Sequence, residues 1–327
     1  MKELFEKITK EYGNVLNIGE TFPNITKIPT RIFTFDLLTG GGIPVNKFTT
    51  LWGTKSSGKT TFSFKVIDSF LKTFSQDYVV YIDFEQALNK EWMSNFVSDM
   101  KRIVIISPDY GEQGVDLAYQ MSLEPAVSLI VIDSLPAIIS ISEVENDSED
   151  TQVAGSARLI RKMLNKLLVS MANAQKEKRP LTCILINQAR ANVGARKFES
   201  KIRMPGGYIV EHLSYLIVHL YLSKYETKGD IPYRAVHQFT IEKNKAGYPR
   251  ISGEFKIDIQ QGKVVDENLI LKFALDLGII NRNKSSYEYA GNKYKTQKEI
   301  EKTLMENLEF RDNLVNQIIN KWWEGKK

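Results

Sequence analysis

Residues 53–61 read Gly-Thr-Lys-Ser-Ser-Gly-Lys-Thr-Thr. Gly53 and Gly58 bracket four residues, and Lys59 and Thr60 follow at once, which is the spacing G-x-x-x-x-G-K-[ST]. Each residue type has a physical task. Glycines let the backbone curl tightly enough to aim several N–H groups at one anion. A helix leaving the loop adds its positive N-terminal end. A lysine at position 59 can reach the β and γ phosphates of a nucleotide, and the Thr60 hydroxyl can ligate Mg²⁺. The flanks agree. Phe48–Trp52 reads as a strand, and Phe62 to Phe70 as a helix with one apolar face. A strand, a glycine loop and a helix in that order restrict the chain to α/β nucleotide-binding architectures. Gly53, Ser56, Ser57, Gly58, Lys59, Thr60 and Thr61 are the candidate nucleotide-binding residues.

The rest of the composition narrows the setting. The 327 residues allow one large domain with appendages. Hydrophobic residues are 43% and charged residues 25%, an ordinary globular balance. No apolar run is long enough to span a membrane, and the N-terminus carries no secretory pattern, so the cytoplasm is the expected compartment. The single cysteine, Cys183, excludes an internal disulfide and reads as a buried small hydrophobe in an apolar strand. The three histidines are scattered and form no metal pattern. A net charge of +5 is mild and says little about a polyanionic partner.

Three segments are expected. Residues 1–30 comprise a helix over 1–17, with Leu4, Phe5, Ile8 and Tyr12 on one face, and a linker bearing Gly19, Pro23 and Pro29. A lone helix this short needs something to pack on, and the proline-bearing linker favours docking on a neighbouring subunit. Residues 31–264 hold apolar strands at Phe48–Trp52, Tyr78–Phe84, Ile103–Ile106, Ser128–Ile132, Thr182–Ile186 and Tyr215–Leu222. Helical stretches alternate with them at 62–74, 90–98, 111–122, 154–175 and 207–213. That alternation implies a mostly parallel sheet covered on both faces. Gln238–Glu242 and Ser252–Ile259 are expected to add antiparallel strands. Residues 265–327 change texture: a helix over Leu269–Leu277, a glycine-turn hairpin over Tyr287–Tyr294, and helices near 296–305 and 309–323.

Four further features carry chemistry. The apolar strand 129–132 ends in Asp133, placed to hold an Mg²⁺ shell beside the loop. The strand before it ends near Glu85, which is either a general base for water or a solvated surface glutamate. The strand at 185–188 ends in Asn187-Gln188. A basic stretch follows, with Arg190, Arg196, Lys197, Lys201 and Arg203 around Phe198, and Gly206-Gly207 behind it. Cations beside an aromatic suit a nucleic-acid backbone, although a solvated loop shares that composition. Finally, Lys243-Asn244-Lys245 ends a late strand, either as a polar terminus or as cations that reach the phosphates of an adjacent subunit.

Taken together and in this order, these blocks resemble the bacterial RecA recombinases. Similar blocks are Ser56–Thr61, Ile82–Leu88, Val131–Ser134, Ile186–Arg190, Gly206-Gly207 and Lys243–Lys245, and the likeness runs nearly end to end. The resemblance implies a RecA-like P-loop ATPase core with an N-terminal helix and a small C-terminal α/β lobe. It implies a DNA-dependent ATPase that uses ATP and Mg²⁺, forms a helical filament on single-stranded DNA, and pairs it with duplex DNA. In that frame Glu85 activates water, and Lys59, Thr60 and Asp133 hold ATP and Mg²⁺. Trp92 stands where the family stacks a tyrosine on adenine. Gln188 senses the γ-phosphate, and Lys243 and Lys245 act across the subunit interface. The stretch from about Glu143 to Val153 is the first DNA loop and Ala189 to Gly207 the second, with Arg158 a further DNA contact. The 1–17 helix docks on the next protomer, and the 265–327 lobe gathers duplex DNA.

The departures are specific. Thr54 and Lys55 replace a usual proline and glutamate, Gln86 a histidine, and His212 a phenylalanine linked to cooperativity between subunits. Asn165 stands where an arginine is expected. The family's acidic tail is missing. The Lys-, Ile- and Asn-rich composition suits a divergent, phage-encoded member. A RecA-fold regulator or structural filament that binds ATP and DNA without strand exchange is the alternative, and a ring-forming motor a third reading.

Overall fold

A computed structural model of the chain describes residues 1–12, 24–145, 149–191, 202–283 and 286–325, with only the backbone of 144–145 and 149–154. A nine-stranded sheet organises it. Its strands are β1 (Phe48–Gly53), β2 (Tyr78–Asp83), β3 (Ile103–Ile106), β4 (Val127–Asp133), β5 (Thr182–Gln188), β6 (Ser214–Lys228), β7 (Ile231–Asn244), β8 (Ile251–Asp258) and β9 (Lys263–Val264). The spatial order is β9-β8-β7-β6-β1-β5-β4-β2-β3. The six strands from β6 to β3 pair in parallel, and β7, β8 and β9 add antiparallel. The expected mostly parallel, two-faced α/β sheet is what the chain forms.

Strand periodicity explains the two cores. Side chains alternate faces along a strand. Tyr81, Leu129, Val131, Ile184 and Ile186 therefore join one apolar cluster with Phe62, Phe64 and Phe70 of helix α3 (Lys59–Thr73). Val80, Ile82, Ile130, Ile132, Cys183 and Leu185 join another. There they meet Val115 and Ala118 of α5 (Gly111–Leu123) and Ile160, Leu164 and Leu167 of α7 (Glu149–Lys176). Cys183 is buried in that second cluster, as its strand position suggests. Burial pushes its thiol well above the usual range.

Some elements differ from expectation. A helix, α2 (Phe33–Thr39), precedes the glycine run; at seven residues it is too short for periodicity to declare it. Helix α4 (Lys90–Ser94) stops short of residue 98. There the Ser98 N–H and hydroxyl donate to Asp68 instead of continuing a helix. Strands β6 and β7 run beyond the apolar stretch as a hairpin, because cross-strand pairing continues where side chains turn polar. The stretch expected as a loop from Glu143 to Val153 has helical backbone where it is described, in α6 (Ile141–Glu145) and the start of α7. Helix α1 (Lys2–Tyr12) carries Leu4 at 50% exposure.

Beyond β9 come α9 (Glu267–Asp276), a three-stranded meander of β10 (Asn281–Asn283), β11 (Ser286–Tyr289) and β12 (Asn292–Tyr294), then α10 (Gln297–Glu306) and α11 (Leu308–Glu324). Helices α10 and α11 begin at Thr296 and Asn307, whose side chains accept from the Glu299 and Phe310 N–H groups. Their apolar cluster includes Ile270, Leu304, Leu314 and Ile318, and it is completed by Phe33 and Leu37 of α2. Arg311 pairs with Asp266 at 2.6 Å and Arg31 with Asp312 at 3.0 Å along that seam. Among the described residues no helix is long and apolar enough to cross a membrane.

Candidate nucleotide-binding site

Parallel pairing brings several strand tips to one edge. Gly53 of β1 lies opposite Gln188 of β5, and Asp133 of β4 opposite Asp83 of β2. The loop 54–58 leaves β1 at this edge and enters α3 at Lys59. The glycines at its two ends, Gly53 and Gly58, are required by space. A Cβ on Gly53 would lie 2.0 Å from the Leu220 carbonyl oxygen, and one on Gly58 would lie 2.8 Å from the His237 ring. Gly58 also has φ +90, which favours glycine.

Lys59 is 7% exposed. Its Nζ donates to the carbonyls of Gly53 (3.1 Å) and Thr54 (2.8 Å) and to Ser57 Oγ (3.2 Å). Burial lowers its pKa, and the charges of Asp133 and Glu85 push it back up. The Thr60 hydroxyl donates to Asp133 Oδ2 at 3.3 Å, and the Tyr81 hydroxyl donates to the same oxygen. Burial pushes the Asp133 carboxyl up to about 6; the Tyr81 bond opposes that rise, and the Glu85 and Asp83 charges add to it. The Thr60 hydroxyl and the Asp133 carboxylate are adjacent hard oxygen donors. That set fits Mg²⁺, which takes one or two protein oxygens and fills the rest of its shell with water and phosphate. Among the described residues no cluster of three or more His, Cys, Asp or Glu side chains could hold a metal by itself.

A cavity of about 300 Å³ opens over the loop, lined by Ser56 to Thr61, Trp92, Tyr225, His237 and Ile257. Trp92 lies in the wall of this cavity. Its Nε1 donates to Thr61 Oγ1 at 3.2 Å, and its ring meets Phe96 edge-on at 5.1 Å. Lys55 is exposed at the loop tip.

Glu85 and Gln188, 103 residues apart, meet: Gln188 Nε2 donates to Glu85 Oε1 at 2.5 Å. The Ser134 hydroxyl donates to the same oxygen. The carboxylate is thus held from two strand tips, through one of its oxygens. Ser134 and Tyr81 escaped sequence reasoning. Ser134 was legible only as the residue after Asp133, and nothing in the chain marks Tyr81 as more than a core aromatic.

The model of the RecA N-terminal domain family matches residues 1–264. The chain belongs to the RecA family of recombinases. The protein RecA of Frankia alni is 30% identical over 315 residues, covering 94% of this chain and 86% of its own length. That of Mesomycoplasma hyopneumoniae (strain J) is 28% identical over 337 residues, covering all of this chain and 96% of its own. That of Tropheryma whipplei is 31% identical over 300 residues, covering 90% of this chain and 66% of its own.

Within this RecA-family chain, Lys243 and Lys245 do not join the phosphate loop. Lys243 pairs with Ile217, which pairs with Thr50, three residues back from Gly53. The Lys245 N–H bonds Tyr215 O. Lys243 Nζ donates to the carbonyls of Glu211 (2.5 Å) and His212 (3.2 Å) at the end of α8 (Gly207–Leu213). Burial and the Lys245 charge both lower its pKa.

The basic stretch is partly described. Arg190 and Arg203 are exposed partners in a two-residue antiparallel ladder, with Gly206 and Gly207 behind them opening α8. Arg158 is exposed on α7. Arg196, Lys197 and Lys201 lie outside the described residues. Near this ladder a cavity of about 450 Å³ is lined by Pro136, Ile139, Glu143, Asn187, Arg190 and Gly206, among others. Glu143 accepts from the Ser156 N–H (2.6 Å) and hydroxyl (2.7 Å). At least that acid is engaged in tying α6 to α7. Tyr208, 90% exposed directly after Gly207, is an aromatic that sequence reasoning missed.

Proposed function

We propose that this chain is a DNA-dependent ATPase that forms a helical filament on single-stranded DNA, pairs it with homologous duplex and exchanges strands. The observation that carries the reading is the Gln188–Glu85 hydrogen bond. It joins a carboxylate beside the phosphate loop to the residue that heads the basic stretch, so the two functions share one contact.

The loop's backbone N–H groups and Lys59 hold the phosphates of ATP. Thr60 and Asp133 hold Mg²⁺, which supplies charge neutralisation at the phosphates when bound. Glu85 orients and polarises water as general base. Gln188 shares that carboxylate, so ordering of the loop behind it by DNA alters how Glu85 is held. Trp92 flanks the base. Arg158, Arg190, Arg196, Lys197, Lys201 and Arg203 meet the DNA backbone, with Gly206 and Gly207 as the hinge and Tyr208 available to stack on a base. Lys243 and Lys245 lie away from their own phosphate loop, which supports their acting on a neighbour's nucleotide. The amphipathic helix α1, with Leu4 exposed, docks on the next protomer, giving an open head-to-tail assembly. The lobe from residue 265 onward gathers duplex DNA.

The test is ATP hydrolysis with and without single-stranded DNA. Stimulation by DNA is expected. Hydrolysis indifferent to DNA would replace this reading with that of a regulator that binds ATP and DNA without exchanging strands.

A further inference from the structure

His237 contacts the phosphate loop but belongs neither to the loop motif nor to the strand tips that hold Asp133 and Glu85. It lies on β7 and is 4% exposed. Its Nδ1 is 3.0 Å from the Ser57 carbonyl oxygen. A carbonyl only accepts, so this contact requires the proton on Nδ1. The ring stacks on Phe255 with centroids 5.2 Å apart and planes at 19°. It also fills the space a Cβ on Gly58 would need.

The Ser57 carbonyl and the Gly58 N–H belong to one planar trans peptide, so they point in opposite directions. Glycine at 58 tolerates either orientation of that plane. Fixing the oxygen on His237 therefore fixes the Gly58 N–H facing away from the ring. We propose that His237 is a positioning residue for nucleotide binding: it pins the 57–58 peptide so that the Gly58 N–H is presented to phosphate. The inference rests on the loop being the ATP site. Burial lowers the His237 pKa, and the Ser57 bond opposes that fall.

The experiment measures affinity for the fluorescent analogue mant-ATP, the KM and kcat for ATP, and thermal unfolding without nucleotide, in wild type and three variants. His237→Phe keeps a ring against Phe255 but has no donor. His237→Asn places an amide N–H near the Nδ1 position, and His237→Gln places it one bond further out. Phe and Gln should weaken mant-ATP binding and raise KM about tenfold, the effect of one lost hydrogen bond, with kcat at saturating ATP within about twofold. Asn should recover affinity to within about threefold of wild type. Because Asn and Gln are equally polar in the same buried site, a general loss of folding would affect both and would show as a lowered unfolding temperature. Wild-type affinity in His237→Phe, Asn binding no better than Gln, or a loss of kcat at unchanged KM would each overturn the inference alone. A wild-type protein that binds no mant-ATP would overturn the reading of the loop as well.

Discussion

At the tips of β1, β4 and β2 the chain buries Lys59, Asp133 and Asp83 close together, with His237 and Thr61 beside them. The lobe beyond residue 265 is built the other way. Its interior is Ile270, Leu271, Ile300, Leu304, Leu314 and Ile318, and its buried charges stand at the seam with α2, where Arg311 meets Asp266. Burying ionisable groups costs stability unless they are paired and hydrogen-bonded. The core bears that cost at Asp36 and Asp68, which are hydrogen-bonded, and again at this edge beside the phosphate loop. The lobe spends its interior on apolar packing and sets its least exposed ion pair, Arg311–Asp266, where two segments must register. Changes at the strand tips should therefore alter nucleotide handling with little effect on unfolding, and changes in the lobe should do the reverse.

The largest separation is expected at Glu85. Glu85→Gln keeps the size of the side chain and should lower ATP turnover by about a thousandfold, the scale of a lost general base. Binding of mant-ATP and the unfolding temperature should stay as in wild type; unchanged turnover would remove Glu85 as the base. Arg311→Ala is the seam's counterpart. It leaves Asp266, whose Oδ1 the guanidinium engages and whose Oδ2 accepts from the Phe33 N–H, buried without its cation. The cost should be about 3–4 kcal/mol in denaturant unfolding, with mant-ATP affinity unaltered. A change in affinity would mean the seam and the nucleotide edge are not independent.

Ile318→Ala empties part of the lobe's core, where Ile318 is fully buried. A loss of about 3 kcal/mol is expected, again with the KM for ATP unchanged. The smallest effect belongs to Asn307→Ala, which removes the cap on the Phe310 N–H and should cost about 1 kcal/mol. A loss above that of Ile318→Ala would show that helix capping, not apolar packing, dominates the lobe.

Much of the nucleotide edge was legible in the chain because its signals are local. The glycine spacing of 53–58, the lysine and threonine after it, and the acid after an apolar strand each lie within a few residues, and backbone sterics tie such patterns to one local structure. Helix α2 was not legible, since seven residues carry too few turns to show a period. The role of Glu85 was open for a different reason. A glutamate after a strand looks the same in sequence whether it faces solvent or the side-chain amide of a distant strand tip.

The sequence by itself determined the phosphate loop, the alternating strands and helices, the two apolar faces of each central strand and the glycine-turn hairpin near Gly291. Only the tertiary structure decided that Gln188 meets Glu85, that His237 holds Ser57 across 180 residues, that Lys243 stands away from its own loop, and that α2 completes the core of the C-terminal lobe. Periodicity states which side of an element is buried. Strand order and register state what covers it, and those are set by packing the whole sheet at once.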